Sequence, residues 1–362
     1  MPHALQVLVF SIVILATLNA RAEYAGADVY AEVNAMAYSE AMPIQQFIDE
    51  LEGPRPGSGN IAFTFNSAEV GARYGRWTLA AFARYDYLLE FSDDTLDVAY
   101  ADANDLDFPT GRALNINLQP SQISARGLGI GYQFTVSSQV EIFTRLNYLQ
   151  ADSLTDGSLT GTLTGNNEDS YEGELFLDYY YEKDLLLDRP EQDIEGDGYS
   201  VDVALAWSIN QQWNVLLDVK DLYSEIEWQD VTYTQATAIS NNASFGDDGL
   251  LDVVPLFSGI ESNQDYTQRL PARTYLDVHY QFNTIWRFDA GYTEISDFQV
   301  VRLGWMAKVL GVDVSGGYQL QTQAFDMALE HKYVRLAVTT DSFEFDNAHL
   351  FGLSLGINIP VL

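Results

Sequence analysis

Asp277 and His279 are separated by one residue in a segment where polar and apolar side chains alternate. Residues two apart on a β-strand point to the same face of the sheet. The Asp277 carboxylate is therefore expected beside the His279 imidazole, where it could orient the ring as in a general acid–base pair. The alternative is a structural pair inside the molecule, and the spacing fits both.

A second pair of carboxylates, Asp105 and Asp107, lies in a predicted loop. Together with Asp277 and His279, this pair resembles the paired aspartates and the Asp-x-His arrangement of the omptin outer-membrane proteases. The resemblance implies an outer-membrane hydrolase, which is the most remote of three functional hypotheses. The other elements of that family are not recognisable, so the chain is interpreted as a non-enzyme with no catalytic residue assigned.

Asp193, Glu195 and Asp197 place carboxylates at alternate positions before Gly198, as calcium-binding loops do. The bidentate acid expected at the twelfth position of such a loop is replaced by Ala204. The match is incomplete. A Ca²⁺ or Mg²⁺ ion in the acidic segments is the only cofactor that the sequence suggests.

Other charged residues recur on the polar face of alternating segments. In Ala272–Phe282, apolar residues and a threonine occupy the even positions, and polar residues and Tyr275 occupy the odd ones. In a transmembrane barrel the apolar face contacts lipid and the charged face lines the lumen. Eight residues are the lumen candidates: Arg84, Arg273, Asp277, His279, Arg287, Asp289, Arg302 and Asp313. They could neutralise each other in a filled barrel, or line a pore whose acidic mouth concentrates cations.

The same alternation predicts an all-β fold, a single antiparallel transmembrane β-barrel of roughly 12–14 strands. Our count is thirteen, although bacterial single-chain barrels have an even number of strands. The count is least certain between Gln323 and Asn347. Short predicted turns alternate with long acidic segments, of which Ser92–Arg112 and Gln229–Gln268 are interpreted as loops. This asymmetry is typical of outer-membrane barrels with long extracellular loops.

Composition sets further limits. The chain has 362 residues, a formal net charge of −34 and no cysteine. The charge argues against a nucleic-acid-binding protein, and the lack of cysteine excludes a disulfide framework. An apolar run from Leu5 to Leu18 followed by Ala20-Arg21-Ala22 predicts a signal peptide at 1–22 and an outer-membrane barrel at 23–362.

The final segment, Leu350 to Pro360, resembles the closing strand of a broad group of outer-membrane barrels. The segment Tyr266–Pro271, which enters the strand Ala272–Phe282, is similar to them as well. The group includes fatty-acid transporters of the FadL type and the TraF-like barrels of conjugal transfer. The resemblance covers the C-terminal quarter and implies the fold and the compartment, but no ligand residues.

We therefore expect a protein of the Gram-negative outer membrane, in contact with its lipid and binding no nucleic acid. The first functional hypothesis is a channel or transporter for small solutes with a cation-favouring acidic mouth. The second is a non-conducting structural or assembly component of a surface or secretion system, bound to other envelope proteins. The outer-membrane hydrolase is the third.

Overall fold

Alternating apolar and polar residues form long antiparallel strands in the computed structural model of the chain. The structure describes residues 26–167, 170–182, 193–240, 243–245, 251–253 and 256–361. The predicted signal peptide, 1–22, lies outside the described residues. No helix in these ranges is long and apolar enough to cross a membrane.

The first eight strands occupy the N-terminal two thirds of the chain: β1 (Ala27–Ser39), β2 (Ile61–Tyr74), β3 (Trp77–Phe91), β4 (Ala113–Thr135), β5 (Val140–Asn167), β6 (Ser170–Tyr181), β7 (Gly196–Ser208) and β8 (Trp213–Ser240). The others follow: β9 (Ala243–Phe245), β10 (Leu251–Val253), β11 (Leu256–Gln268), β12 (Arg273–Gln281), β13 (Trp286–Ile295), β14 (Phe298–Val309), β15 (Val312–Gln319), β16 (Phe325–His331), β17 (Val334–Thr340) and β18 (Leu350–Pro360). Two helices, α1 (Ile44–Ile48) and α2 (Asp93–Ala103), lie in the connections.

Fourteen strands close into one antiparallel ring. The ring runs β1, β2, β3, β4, β5, β7, β8 and then β12 through β18, and β18 pairs with β1 from Tyr38↔Leu350 to Asp28↔Pro360. The prediction of a closed barrel of 12–14 strands is confirmed. The strand missing from the count of thirteen is β16, whose seven residues we did not recognise as a strand of their own.

Two strands extend beyond the ring. β5 and β8 have 28 residues each. The halves of β5 and β8 that lie nearer the short turns pair with β7, and the halves farther from these turns pair with β6. Strand β11 pairs with the other edge of β8. The interpretation of Gln229–Gln268 as a loop is therefore wrong, since most of its described part belongs to β8 and β11. Strands β9 and β10 form a separate two-stranded sheet.

The two ends of the barrel differ. Six turns of two to four residues and both ends of the ring, Ala27 and Pro360, lie at one end. At the other end, the connection after β1 contains α1 and the connection after β3 contains α2. Ser92 caps α2 by accepting a hydrogen bond from the Thr95 N–H. The prediction of an irregular loop at Ser92–Arg112 is therefore wrong for α2.

The outward face of the ring is apolar and exposed. Leu79 on β3, Leu128 on β4 and Leu303 on β14 have 59%, 63% and 53% of their side-chain surface exposed. Tryptophans pack in contact near the short-turn end, as in the Trp286–Trp305 pair, whose ring centroids are 5.8 Å apart. Such a surface needs lipid around it, because exposure of large apolar side chains to water is unfavourable over so wide an area.

Inward-facing glycines provide space for large side chains. On β4, the sequence shows glycine at 127, 129 and 131, opposite to the outward leucine and isoleucine. A Cβ atom added at Gly127 would meet the Phe82 ring, at Gly129 the Arg145 guanidinium, and at Gly131 the Phe143 ring. The space that these glycines leave is therefore occupied by side chains of neighbouring strands lying flat along the wall.

We expect Gly127→Ala to lower the free energy of unfolding by about 1–3 kcal/mol, because the new methyl group would overlap Phe82 and the Tyr148 carbonyl oxygen. Gly356→Ala is the matched control. It also faces the lumen, but its Cβ would lie 3.6 Å from the Arg335 Cβ, an ordinary contact. The control should stay within about 1 kcal/mol of the native chain. Urea titration of barrels folded in lipid vesicles measures the free energy of unfolding of both variants. Equal effects would contradict the close packing of Phe82 and the Tyr148 carbonyl against Gly127.

Candidate functional site

The eight charged residues predicted for the lumen all occupy inward positions. Their neighbours along each strand carry the exposed apolar face: Phe288 lies next to Asp289, and Leu303 next to Arg302. Asp277, His279 and Asp289 are each less than a tenth exposed. The site therefore consists of charged side chains enclosed by the barrel wall.

His279 is bound to Asp289 rather than to Asp277. The His279 Nδ1 lies 2.5 Å from the Asp289 Oδ1, and the same oxygen accepts a hydrogen bond of 2.8 Å from the Arg287 Nε. His279 and Asp289 stand directly opposite each other on β12 and β13. Residues two apart on one strand are about 6.6 Å apart, whereas directly opposite residues are about 5 Å apart. The expected Asp277–His279 pair is therefore replaced by a cross-strand pair.

Asp221 is the hub of an ion-pair network that crosses the lumen. Its carboxylate accepts hydrogen bonds from Arg84 on β3, at 2.7 and 2.8 Å, and from Arg273 on β12, at 2.8 Å. Arg84 also pairs with Asp86 on its own strand. Because β3 and β8 are not neighbours in the ring, Arg84 and Asp221 can meet only through the interior. This network was not predicted from the sequence.

A β-bulge turns Asp221 inward. The residue has a φ of 51°, and the pairing of β7 with β8 shifts register between Val201 and Val203. Aspartate accepts this backbone conformation more readily than most residues. The sequence did contain a signal: Asp221 follows Val215, Leu217 and Val219 at the spacing of the lipid-facing positions, where a carboxylate is unfavourable.

Two other contacts span non-adjacent strands. The Arg145 Nη1 on β5 lies 2.8 Å from the Glu69 Oε2 on β2. We call the end of the barrel that carries α1 and α2 the outer end. Toward this end, Phe298 on β14 packs against Tyr38 on β1 and Phe63 on β2, with ring centroids 4.6 and 5.1 Å apart. Ile295, Val300 and Phe65 belong to the same buried cluster. The interior is thus bridged by charged pairs and, separately, by an apolar cluster.

A cavity of about 190 Å³ remains on the other side of the lumen, along β12 to β17. Its wall includes Asp277, His279, Asp289 and Arg302. The Arg302 Nε donates a hydrogen bond of 2.9 Å to the Asp326 Oδ2. A Cβ atom at Gly304 or Gly317 would lie 3.0 or 2.8 Å from the Arg302 guanidinium, so two glycines make room for it. We call this space the lumen cavity.

The remaining predicted residues lie away from this cavity. Asp105 and Asp107 are exposed in the connection after α2. Asp193, Glu195 and Asp197 are exposed before and at the start of β7, and Asp197 accepts a hydrogen bond from the Tyr148 hydroxyl. In the ranges that the structure describes, no group of three histidine, cysteine or acidic residues could hold a metal ion. A calcium ion at these three residues stays a prediction.

At the outer end, several acidic side chains form hydrogen bonds or ion pairs with neighbouring residues. The Asp93 carboxylate accepts hydrogen bonds from the Ser58 hydroxyl and the Gly59 N–H, and these bonds hold the pKa of this carboxyl below its usual value. Arg112 pairs with Asp94 and Asp97. Part of the acidic charge therefore fixes α2 to the barrel.

No protein-family model matches the chain, and a search of curated proteins found no match. Several solved structures are similar. The toluene transporter TbuX of Ralstonia pickettii is 10% identical with a TM-score of 0.44, covering 93% of this chain and 90% of that one. The toluene transporter TodX of P. putida is 11% identical with a TM-score of 0.42, covering 93% and 89%.

A FadL homologue of Pseudomonas aeruginosa is also similar, with 10% identity, a TM-score of 0.29, and coverage of 92% of this chain and 88% of that one. These outer-membrane proteins are of the FadL-like group that the C-terminal segments resemble. Identities and TM-scores this low transfer no solute and no residue role to this chain.

We expect Asp221→Ala to lower the free energy of unfolding by about 3–5 kcal/mol, because it leaves two buried guanidinium groups with only Asp86 between them. The control is Asp152→Ala. Asp152 forms a 3.7 Å pair with Arg126 in which both side chains are at least half exposed. Its loss should change stability by less than about 1 kcal/mol. Urea titration that found equal losses would disprove the bridging role of Asp221.

Proposed function

We propose that the protein is an outer-membrane channel for small solutes, which pass through the lumen cavity. One observation carries the proposal: the ring encloses a cavity of about 190 Å³ whose wall is charged, while the outward face is apolar. A polar interior inside an apolar exterior is the arrangement of barrels that admit water-soluble molecules.

We infer that the route is closed in this conformation. The Arg84–Asp221–Arg273 network and the Phe298–Phe63 contact each join strands on different sides of the ring. Passage therefore requires these side chains to move, and the channel admits small solutes one at a time. We infer no catalytic role for Asp277 and His279, because the imidazole is held by Asp289 inside the wall.

The second candidate is a non-conducting structural or assembly component in contact with other envelope proteins. The observation that favours it is the same set of bridges, because buried ion pairs between distant strands brace a barrel and fill its lumen. The two candidates differ in what happens when a bridge is removed, so conductance separates them.

We expect the native barrel to show small, brief openings in planar bilayers, and Arg84→Ala/Asp221→Ala to raise the conductance severalfold. The double variant removes one arginine and one aspartate, and leaves Arg273 beside Asp86 at 3.8 Å. The matched control, Arg126→Ala/Asp152→Ala, removes an exposed pair and should leave the conductance unchanged. If folded native and double-variant barrels are both silent, the structural role replaces the channel.

We also propose that the acidic outer end favours cations. Asp102, Asp105 and Asp107 are exposed there, and a charged cleft concentrates ions of opposite sign. We expect a reversal potential of cation-selective sign in a KCl gradient, and a shift toward zero when these three residues are changed to asparagine. At 1 M salt, where screening acts within about 3 Å, the difference should vanish. Anion selectivity in the native protein would contradict this expectation.

A further inference from the structure

Asp277 is a carboxylate enclosed by the barrel wall. It is 5% exposed, faces the lumen cavity, and forms no hydrogen bond or ion pair with any residue that the structure describes. Its two cross-strand neighbours are Leu216 and Gly291, neither of which carries a donor side chain. Burial of an unpaired carboxylate is strongly unfavourable, so this group either carries a proton or has a positive group beside it.

The neighbouring cations are engaged elsewhere. His279 and Arg287 both bind the Asp289 carboxylate, and Arg302 binds Asp326. Gly291 gives Asp277 its space, since a Cβ atom there would lie 3.0 Å from the Asp277 Oδ1. The Asp277 carboxylate therefore occupies space beside Gly291 that the side chain of any larger residue would fill.

The cavity wall contains more acidic side chains than arginines. It contains five carboxylates and three guanidinium groups. In an enclosed space of low dielectric constant this imbalance attracts a cation more strongly than it would in water.

The geometry is unsuited to a metal ion, because no described group of three ligand side chains comes together there and Ca²⁺ needs six to eight oxygen ligands. Apolar side chains, among them Met36, Val300 and Met306, line the same cavity. Its volume of about 190 Å³ is large enough for a small organic molecule, since a cavity of about 150 Å³ can bind benzene. A ligand that fits has one cationic group and a short alkyl body.

We propose that the lumen cavity binds a small primary alkylammonium cation, with the Asp277 carboxylate holding the ammonium group. The hydroxyl groups of Tyr275 and Thr293 lie in the same wall and offer further acceptors for its N–H groups. The alkyl body lies against Val300, the cross-strand neighbour of Thr293, and Met36 belongs to the same apolar cluster. This inference rests on the proposed function only in taking the bound cation as the solute.

The test is calorimetric titration of the folded full barrel in detergent with ethylammonium chloride at constant ionic strength. Asp277→Asn should weaken binding by at least about tenfold, since a charge-assisted hydrogen bond is lost. The matched control is Asp313→Asn, which makes the same change of net charge in the same cavity, but at a carboxylate that lies 3.5 Å from the Lys308 Nζ. Its affinity should fall by less than about threefold.

Three outcomes would overturn the proposal: no binding by the native barrel, as expected if Asp277 simply carries a proton; unchanged affinity in Asp277→Asn; or equal losses in both variants. Should Asp277→Asn fail to fold, the native barrel still provides a test with tetramethylammonium. This cation has no N–H donor and should bind at least about tenfold more weakly than ethylammonium. Equal affinities would also overturn the proposal.

Bilayer conductance separates this inference from the proposed function. A barrel that binds ethylammonium through Asp277 but never conducts would retain the site and lose the channel. A barrel that conducts KCl, but whose affinity for ethylammonium is absent or independent of Asp277, would retain the channel and lose the site.

Discussion

Closure of the sheet between β1 and β18 is the constraint on which the rest of the molecule depends. The hydrocarbon core of a membrane offers no water to backbone N–H and C=O groups, so an open sheet edge is not tolerated there. The antiparallel pairing from Tyr38↔Leu350 to Asp28↔Pro360 removes both edges. With the ring closed, every strand has one face toward lipid and one toward the interior. Odd- and even-numbered residues of a strand therefore face opposite sides of the wall.

The interior then has to be filled or hydrated, and both occur. Flat-lying side chains over Gly127, Gly129 and Gly131 thicken the wall. The Asp221 network and the Glu69–Arg145 pair join strands that do not touch in the ring. Each of these carboxylates faces a guanidinium group, which is the condition under which buried charge is tolerated. The lumen cavity is the part of the interior that these bridges leave unoccupied.

The proposed channel would discriminate solutes by charge and size together. The apolar cluster around Phe298 and Phe63 lies toward the outer end, and its members Phe298 and Val300 also line the cavity beside Asp277. In the proposed channel, a solute would displace an apolar contact and also contact an enclosed carboxylate. Among the acidic residues around α2, Asp93, Asp94 and Asp97 are partly neutralised by their own contacts.

The sequence by itself determined which face each strand residue occupies. The alternation has a period of two, and lipid on one side makes that period obligatory, so the inward placement of residues such as Arg302 and Asp313 follows from parity. Prediction from the sequence failed where the alternating segment is short or where the alternation stops. Strand β16 has only seven residues, and β8 and β11 continue through polar sequence outside the membrane, where no apolar face is required.

Tertiary structure alone decided which inward residues meet. Register set His279 opposite Asp289 instead of beside Asp277. A bulge at Asp221 reversed the parity of one residue and made it the partner of Arg84, 137 positions away in the chain. Contacts across a lumen depend on the closure and curvature of the whole ring, and alternation along one strand carries no information about them. The unpaired state of Asp277 belongs to the same class, because it depends on what the opposite strands fail to provide.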